Sequence, residues 1–219
     1  MKIKVCGMKY PENITAVARL QPDYMGFILW EKSPRYFRGS RAALPESLEK
    51  VGVFVDASLE EIIEKTEALS LDLVQLHGSE SPEFCSRLLE ALKIVERQRH
   101  KVDAKIKIIK AIGVGKAFPF EDLRGYEDVV DYFLFDTKGP LPGGNGYSFN
   151  WELLNSYTLK TPFFLSGGIG LKDTEKLKAF LKSPLASQCH AIDVNSAFES
   201  EPGEKKSKEL DTFIKQLKL

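Results

Sequence analysis

An alternation limits the folds open to this chain more than any other feature. Eight strand-length apolar runs recur along it, at 3–6, 25–29, 51–55, 73–77, 106–112, 132–136, 163–166 and 191–194. Most are rich in β-branched or aromatic residues, and each is bounded by Gly, Pro, Asp, Asn or Ser. That is the pattern of buried strands between turns. Between several runs lie stretches with helical spacing. The first is PENITAVARLQ at 11–21. In 58–70, Leu59, Ile62, Ile63 and Leu69 fall on one stripe, and Ser58 with Glu61 reads as a capping box. In 81–100, Phe84, Leu88, Leu89 and Leu92 share a face, with Pro82 in the first turn. Residues 171–181 and 205–219 give two further helices, and 38–50, 117–129 and 149–158 carry weaker helical signals.

Strand followed by helix, eight times over, predicts parallel strands joined by crossover helices. The chain has 219 residues, close to the lower bound of roughly 200 for a closed (β/α)8 TIM barrel. A doubly wound open sheet is the competing architecture, but it usually has about five or six strands. No Pro/Ser-rich linker or charge block divides the chain. The expectation is therefore an α/β protein with one compact (β/α)8 barrel domain over 1–219. The polar stretch 93–105 exceeds what a βα unit needs, and either extends the preceding helix or forms a loop.

Composition narrows the function classes. Lys+Arg and Asp+Glu are both 31, and a zero balance argues against nucleic-acid binding. It leaves room for a local positive pocket that takes a small anion. No run approaches the roughly 18 apolar residues of a membrane helix, so no membrane partner is expected. The N-terminal stretch lacks the apolar core of a signal peptide. Cys6, Cys85 and Cys189 are odd in number and widely spaced, which predicts free thiols in a reducing cytoplasm. The single Asn13-Ile14-Thr15 sequon then has no meaning. With three histidines and no HxH or CxxC spacing, no metal site is expected.

In a barrel the chemistry lies at the C-terminal ends of the strands. Cys6 ends the first strand, with Lys4 on the same face. If Cys6 points inward, the Lys4 ammonium beneath it favours the thiolate. A buried structural cysteine is the plain alternative, and it is the preferred reading for Cys85 and Cys189. Asp136 ends the sixth strand after an apolar run, where a low-dielectric site would raise its pKa toward that of a general acid. The alternative is an Asx turn or helix cap. Asp56 and Asp193 meet the same strand-end criterion. Two loops point to phosphate: Ser166-Gly167-Gly168-Ile169-Gly170 after the seventh strand, and Asp193-Val194-Asn195-Ser196 closing the eighth. Barrels that bind phosphorylated substrates often use these two positions. A third glycine-rich loop, Gly143-Gly144-Asn145-Gly146, follows the sixth strand; it lacks the third glycine and acidic residue of a dinucleotide fingerprint. Arg35, after the second strand, either pairs bidentately with a substrate carboxylate or is a surface arginine. Gln75 and His77 share an inward face, where His77 is either a ligand or base or a satisfied polar residue.

Taken together, the sequence resembles the phosphoribosylanthranilate isomerases of tryptophan biosynthesis over nearly its whole length. The resemblance rests on Lys4-Val5-Cys6-Gly7-Met8, Ser33-Pro34-Arg35, Val74-Gln75-Leu76-His77-Gly78 and Leu134-Phe135-Asp136-Thr137. It continues through Gly143-Gly144-Asn145-Gly146 with Phe149-Asn150-Trp151, Ser166-Gly167-Gly168, and Ile192-Asp193-Val194-Asn195-Ser196. It implies a cofactor-free barrel that catalyses an Amadori rearrangement, the third step from chorismate. The substrate would be N-(5'-phosphoribosyl)anthranilate and the product 1-(2-carboxyphenylamino)-1-deoxyribulose 5-phosphate. By resemblance Asp136 would be the general acid that opens the furanose ring and Cys6 the general base that removes the C2 proton. Arg35 would hold the anthranilate carboxylate. Gly144, Asn145, Gly146, Gly167, Gly168, Asn195 and Ser196 would enclose the phosphate. Monomer, homodimer and association with other tryptophan-pathway enzymes all stay open.

Some positions depart from the family pattern. Asn195-Ser196-Ala197 stands where Ser-Ser-Gly is common, which brings into question the turn at Ala197. Lys9-Tyr10 replaces the usual Thr-Arg or Thr-Asn, and 93–105 resembles an insertion. Two alternatives remain: a histidine-pathway sugar-phosphate isomerase, whose acid–base pair would be two aspartates, and a non-catalytic barrel that binds a phosphorylated metabolite.

Overall fold

A computed structural model describes residues 1–40, 48–98, 105–115, 117–137 and 150–218. Eight parallel strands close into a barrel in chain order. They are β1 (Lys2–Val5), β2 (Tyr24–Ile28), β3 (Glu49–Phe54), β4 (Leu73–Leu76), β5 (Lys107–Val114), β6 (Tyr132–Thr137), β7 (Phe163–Leu165) and β8 (Cys189–Val194). β1 closes the ring on β8, with Lys4 opposite Asp193. Each expected apolar run is a strand.

The period of two sorts every strand into an inner and an outer set. Tyr24, Val51, Val53, Leu73, Ile109, Ala111, Tyr132, Leu134, Phe164 and Ala191 pack with Cys6 inside the barrel. Ile3, Val5, Met25, Phe27, Phe54, Val74, Leu76, Ile108, Phe133, Phe135, Phe163, Leu165, Ile192 and Val194 form the outer set, under the helices. Extending the inner rows upward brings Cys6, Gln75, His77, Asp136, Ser166 and Asp193 to one end of the barrel.

Five α-helices are present among the described residues: α1 (Pro11–Ala18), α2 (Leu59–Ala68), α3 (Pro82–Gln98), α4 (Thr174–Phe180) and α5 (Ser207–Lys218). Ser58 caps α2 by accepting from the Glu61 amide at 3.2 Å, as its spacing predicts. α3 runs through the first half of 93–105 to Gln98, so that part of the polar stretch extends the helix; 99–104 lie outside the described residues. Cys85 and Cys189 are buried free thiols in the packing, as expected of structural cysteines.

Of the weaker helical segments, two are helical in 3₁₀ form and one runs into a strand. Residues 49–50 begin β3, while 41–47 lie outside the described residues. The segments 117–129 and 149–158 form 3₁₀ turns at Phe120–Tyr126 and Trp151–Ser156. Their apolar residues explain this. Phe120, Leu123 and Tyr126 recur every three residues, as do Trp151, Leu154 and Tyr157, and a 3₁₀ turn aligns such a repeat on one face. A short antiparallel ribbon of β9 (Glu199–Glu201) and β10 (Glu204–Lys205) follows β8. No helix among the described residues is long and apolar enough to cross a membrane.

Candidate active site

A pocket lies at the C-terminal end of the barrel. Cys6, Arg35, Gln75, His77, Asp136, Ser166, Gly168, Asp193, Asn195 and Ser196 all line it. Five separate predictions thus fall on one cavity: the strand-one cysteine, the strand-six aspartate, the strand-two arginine and the loops after strands seven and eight. Gly144, Asn145 and Gly146 lie outside the described residues. Asp56 has a different role: it accepts from the Ser79 amide and hydroxyl at 2.7 and 2.8 Å and so ties two loops together.

The base of the pocket is charged. Lys4 is fully buried, and its ammonium meets Asp193 Oδ1 at 2.7 Å; Ser166 Oγ donates to Asp193 Oδ2 at 3.0 Å. Burial pulls the Lys4 ammonium down, but Asp193 and Cys6 more than offset it and hold it above its usual value. Cys6 sits above Lys4 in the same inward row. Gly26 makes space for its thiol, since a Cβ there would stand 2.8 Å from Sγ. Burial pushes the Cys6 thiol up and Asp193 adds to this, so the opposing pull of Lys4 is outweighed. The ammonium favours the thiolate, as the sequence predicts, without making it the resting form.

Across the pocket, burial raises Asp136 to about 6, against a hydrogen bond from the Thr137 amide at 2.8 Å; the Asp193 charge also raises it. This is the shift expected of a carboxyl ending an apolar strand. His77 Nε2 lies 3.7 Å from Asp136 Oδ2, and Gln75 Nε2 bonds His77 Nδ1 at 2.8 Å. Burial, with repulsion from Lys4 and Lys110, lowers His77 to about 4, so the ring is neutral at neutral pH.

The walls differ in character. Ile28, Trp30, Val53 and Val55 contribute apolar lining. Gly168, Ile169, Asn195, Ser196 and Ala197 line the pocket from the loops after β7 and β8, with Asn195 close to the Arg35 stem. Gly167 and Gly168 have φ of +100° and +65°. Ala197 lies in a 3₁₀ turn, Ser196–Phe198, and is not among the described residues with positive φ, so alanine fits this turn without strain.

Arg35 is not a free surface arginine. It grips Glu199 with both Nε and Nη2, at 2.7–3.0 Å. Glu199 and its partner Lys205 were missed from sequence. They belong to a short charged ribbon with no apolar alternation, and Glu199 lies 164 residues from Arg35. No group of three or more His, Cys, Asp or Glu among the described residues is arranged to hold a metal ion.

Comparison with known proteins agrees with this geometry. The family model described as N-(5'-phosphoribosyl)anthranilate (PRA) isomerase matches residues 3–216. A curated protein of that name from Parabacteroides distasonis is 41% identical, with 99% of this chain and 93% of the relative covered. Among solved structures, phosphoribosyl anthranilate isomerase from Thermotoga maritima superposes with a TM-score of 0.79 at 30% identity, covering 100% of this chain and 98% of that one. A phosphoribosyl anthranilate isomerase in complex with reduced 1-(o-carboxyphenylamino)-1-deoxyribulose 5-phosphate gives a TM-score of 0.72 at 28% identity, with 100% and 98% covered.

Proposed function

The chain belongs to the N-(5'-phosphoribosyl)anthranilate isomerase family, and we propose that it carries out that isomerisation with Cys6 as general base and Asp136 as general acid. The activity belongs to tryptophan biosynthesis and is an Amadori rearrangement: an N-glycosylamine becomes an aminoketose, with atoms conserved. One observation carries the assignment of roles. A buried thiol and a carboxyl with a pKa raised to about 6 line the same pocket.

The chemistry needs both. Asp136 delivers its proton to the furanose ring oxygen, and the C1–O bond breaks to give an open-chain iminium. Cys6 removes the C2 proton, and the electron pair moves into the C1–C2 bond to form an enolamine. Protonation at C1 and loss of the C2 hydroxyl proton give the ketone. A group in each role typically contributes about 10²–10⁴ in rate. Cys6 rests as a thiol, so it first gives its proton to solvent, a step favoured by the iminium cation formed close to it. That cation, together with Lys4, stabilises the thiolate at the step that needs it.

The walls support one orientation of substrate. The anthranilate ring lies against Ile28 and Trp30 with its carboxylate at Arg35. The phosphate lies at the loops of Gly167 and Gly168 and of Asn195 and Ser196, where exposed amides can donate to it. Gly144, Asn145 and Gly146 complete the enclosure in this reading. Of the alternatives, the histidine-pathway isomerase would place an aspartate where Cys6 stands.

The test is complementation of a tryptophan auxotroph that lacks this isomerase, with turnover of both candidate substrates by the purified protein. Growth and turnover of phosphoribosylanthranilate are expected. Turnover of the histidine-pathway substrate alone would overturn the reading.

A further inference from the structure

The ribbon after β8 is built around one carboxylate. Lys205 Nζ donates to Glu199 Oε1 at 2.5 Å and to Asn195 Oδ1 at 2.7 Å. The Gly203 amide donates to the same Glu199 oxygen at 3.1 Å. Asn13 on α1 brackets the Lys205 backbone, donating to its carbonyl at 2.8 Å and accepting from its amide at 2.9 Å. Glu199 is therefore fixed in place independently of Arg35, and Arg35 docks onto a rigid partner. Side-chain exposures are 14% for Arg35, 5% for Glu199 and 0% for Lys205, which sets this group apart from a solvated surface ion pair.

The contact leaves part of the guanidinium unused. Arginine has five N–H donors along two edges, each able to take a carboxylate in a fork. Glu199 occupies the edge formed by Nε and Nη2. Nη1 makes no hydrogen bond among the described residues, and these leave the terminal edge available. The stem of Arg35 passes over Gly7, next to Cys6. A Cβ on Gly7, whose φ is +75°, would stand 2.9 Å from Arg35 Cδ and 2.6 Å from Asn195 Oδ1. The formal charges of Arg35, Glu199 and Lys205 sum to one positive charge beside the pocket, which suits one incoming carboxylate.

We propose that Glu199, anchored by Lys205, is a positioning residue that turns Arg35 so that its terminal edge recognises the aromatic carboxylate of the substrate. This rests on the reading of Arg35 as the carboxylate ligand. Glu199 does not leave when substrate binds: the two carboxylates take different edges of one guanidinium. The ribbon thus sets selectivity for a carboxylated ring without touching the substrate.

The experiment compares two probes by calorimetry: reduced 1-(o-carboxyphenylamino)-1-deoxyribulose 5-phosphate, and the same compound without its carboxylate. Wild type should prefer the carboxylated probe by about tenfold to a hundredfold, the range of a charge-assisted contact. Arg35→Ala should abolish the preference. Glu199→Gln should reduce it by roughly fivefold or more while leaving the other probe's affinity within about twofold. The double variant should match Arg35→Ala alone, because the two act through one contact. Glu199→Asp, which keeps the charge but draws it back by one methylene, should show a smaller loss of the same kind if Glu199→Gln folds poorly. An unchanged or increased preference in Glu199→Gln would overturn the proposal and make Glu199 a competitor for Arg35. Equal weakening of both probes would reduce the ribbon to general scaffold. If Arg35→Ala keeps the preference, the Arg35 reading fails and takes this one with it.

Discussion

Nε2 of His77 stands 3.7 Å from Oδ2 of Asp136, and of the two it is the carboxyl that keeps its proton to the higher pH. Burial raises Asp136 to about 6 and lowers His77 to about 4. The ordinary order of a carboxylic acid and an imidazole is inverted. On its other side the His77 ring is held by Gln75, whose amide nitrogen lies 2.8 Å from Nδ1. His77 thus remains a neutral neighbour at neutral pH, and in the mechanism proposed above the proton passed to the ring oxygen comes from Asp136.

That inversion has a cost in stability. A group whose folded pKa is raised stabilises the fold below its unfolded pKa and loses that contribution as pH rises through the folded value. Asp136, moved from 3.8 to about 6, therefore costs the folded state up to about 3 kcal/mol at pH 8. Asp136→Asn keeps an acceptor for the Thr137 amide and removes the charge. It should melt higher than wild type at pH 8, by about 2–4 °C for each kcal/mol recovered, and the gap should close by about pH 4. Thermal melts across that range check this. A variant less stable than wild type at pH 8 would contradict it.

Lys4 and Asp193 tune Cys6 from below. In the free protein the Cys6 thiol should ionise above the ordinary thiol range, because burial outweighs the pull of Lys4. Lys4→Met should move it higher still, since the ammonium is removed and the Asp193 carboxylate is left. Iodoacetamide labelling followed against pH, with the site located by peptide mass spectrometry, measures both. Labelling with a midpoint below about 8.5 in wild type would show that Lys4 dominates after all.

At the opposite end of the barrel, His190 has its own pH signature. Its Nε2 bonds the Tyr24 hydroxyl at 2.7 Å, and its ring packs on Tyr132 with centroids 4.3 Å apart. Burial, with repulsion from Lys2 and Lys107, lowers it to about 4. A depressed histidine stabilises the fold above its unfolded pKa and loses that contribution as pH falls, here between about 6.5 and 4. His190→Gln, which can still accept from Tyr24, should lose about 1–2 kcal/mol less than wild type between pH 7 and 4.5 in urea titrations. Equal losses would place the acid sensitivity elsewhere.

The barrel was legible because its strands are apolar runs and its turns are not. Val51–Val55 or Phe133–Asp136 can be read without knowing their neighbours, and the period of two then predicts that Cys6 and Asp136 face one cavity. The 3₁₀ turns gave only weak helical signals because a spacing of three, as in Phe120, Leu123 and Tyr126, fits the 3.6 period of an α-helix poorly. The partnership of Arg35 with Glu199 left no local trace: it joins the loop after β2 to a ribbon whose residues are nearly all charged. The balance at Cys6 was also hidden. The sequence shows that Lys4 lies beneath the thiol, but not how completely the barrel buries it or that Asp193 draws on the same ammonium.

The central claim is that Cys6 and Asp136 are the base and acid of one isomerisation, and kcat on N-(5'-phosphoribosyl)anthranilate tests it most directly. Wild type, Cys6→Ala and Asp136→Asn are compared at equal folded concentration. Each substitution should lower kcat by about 10²–10⁴ or more while the phosphate-bearing product analogue still binds. Near-wild-type kcat in either variant would contradict the claim.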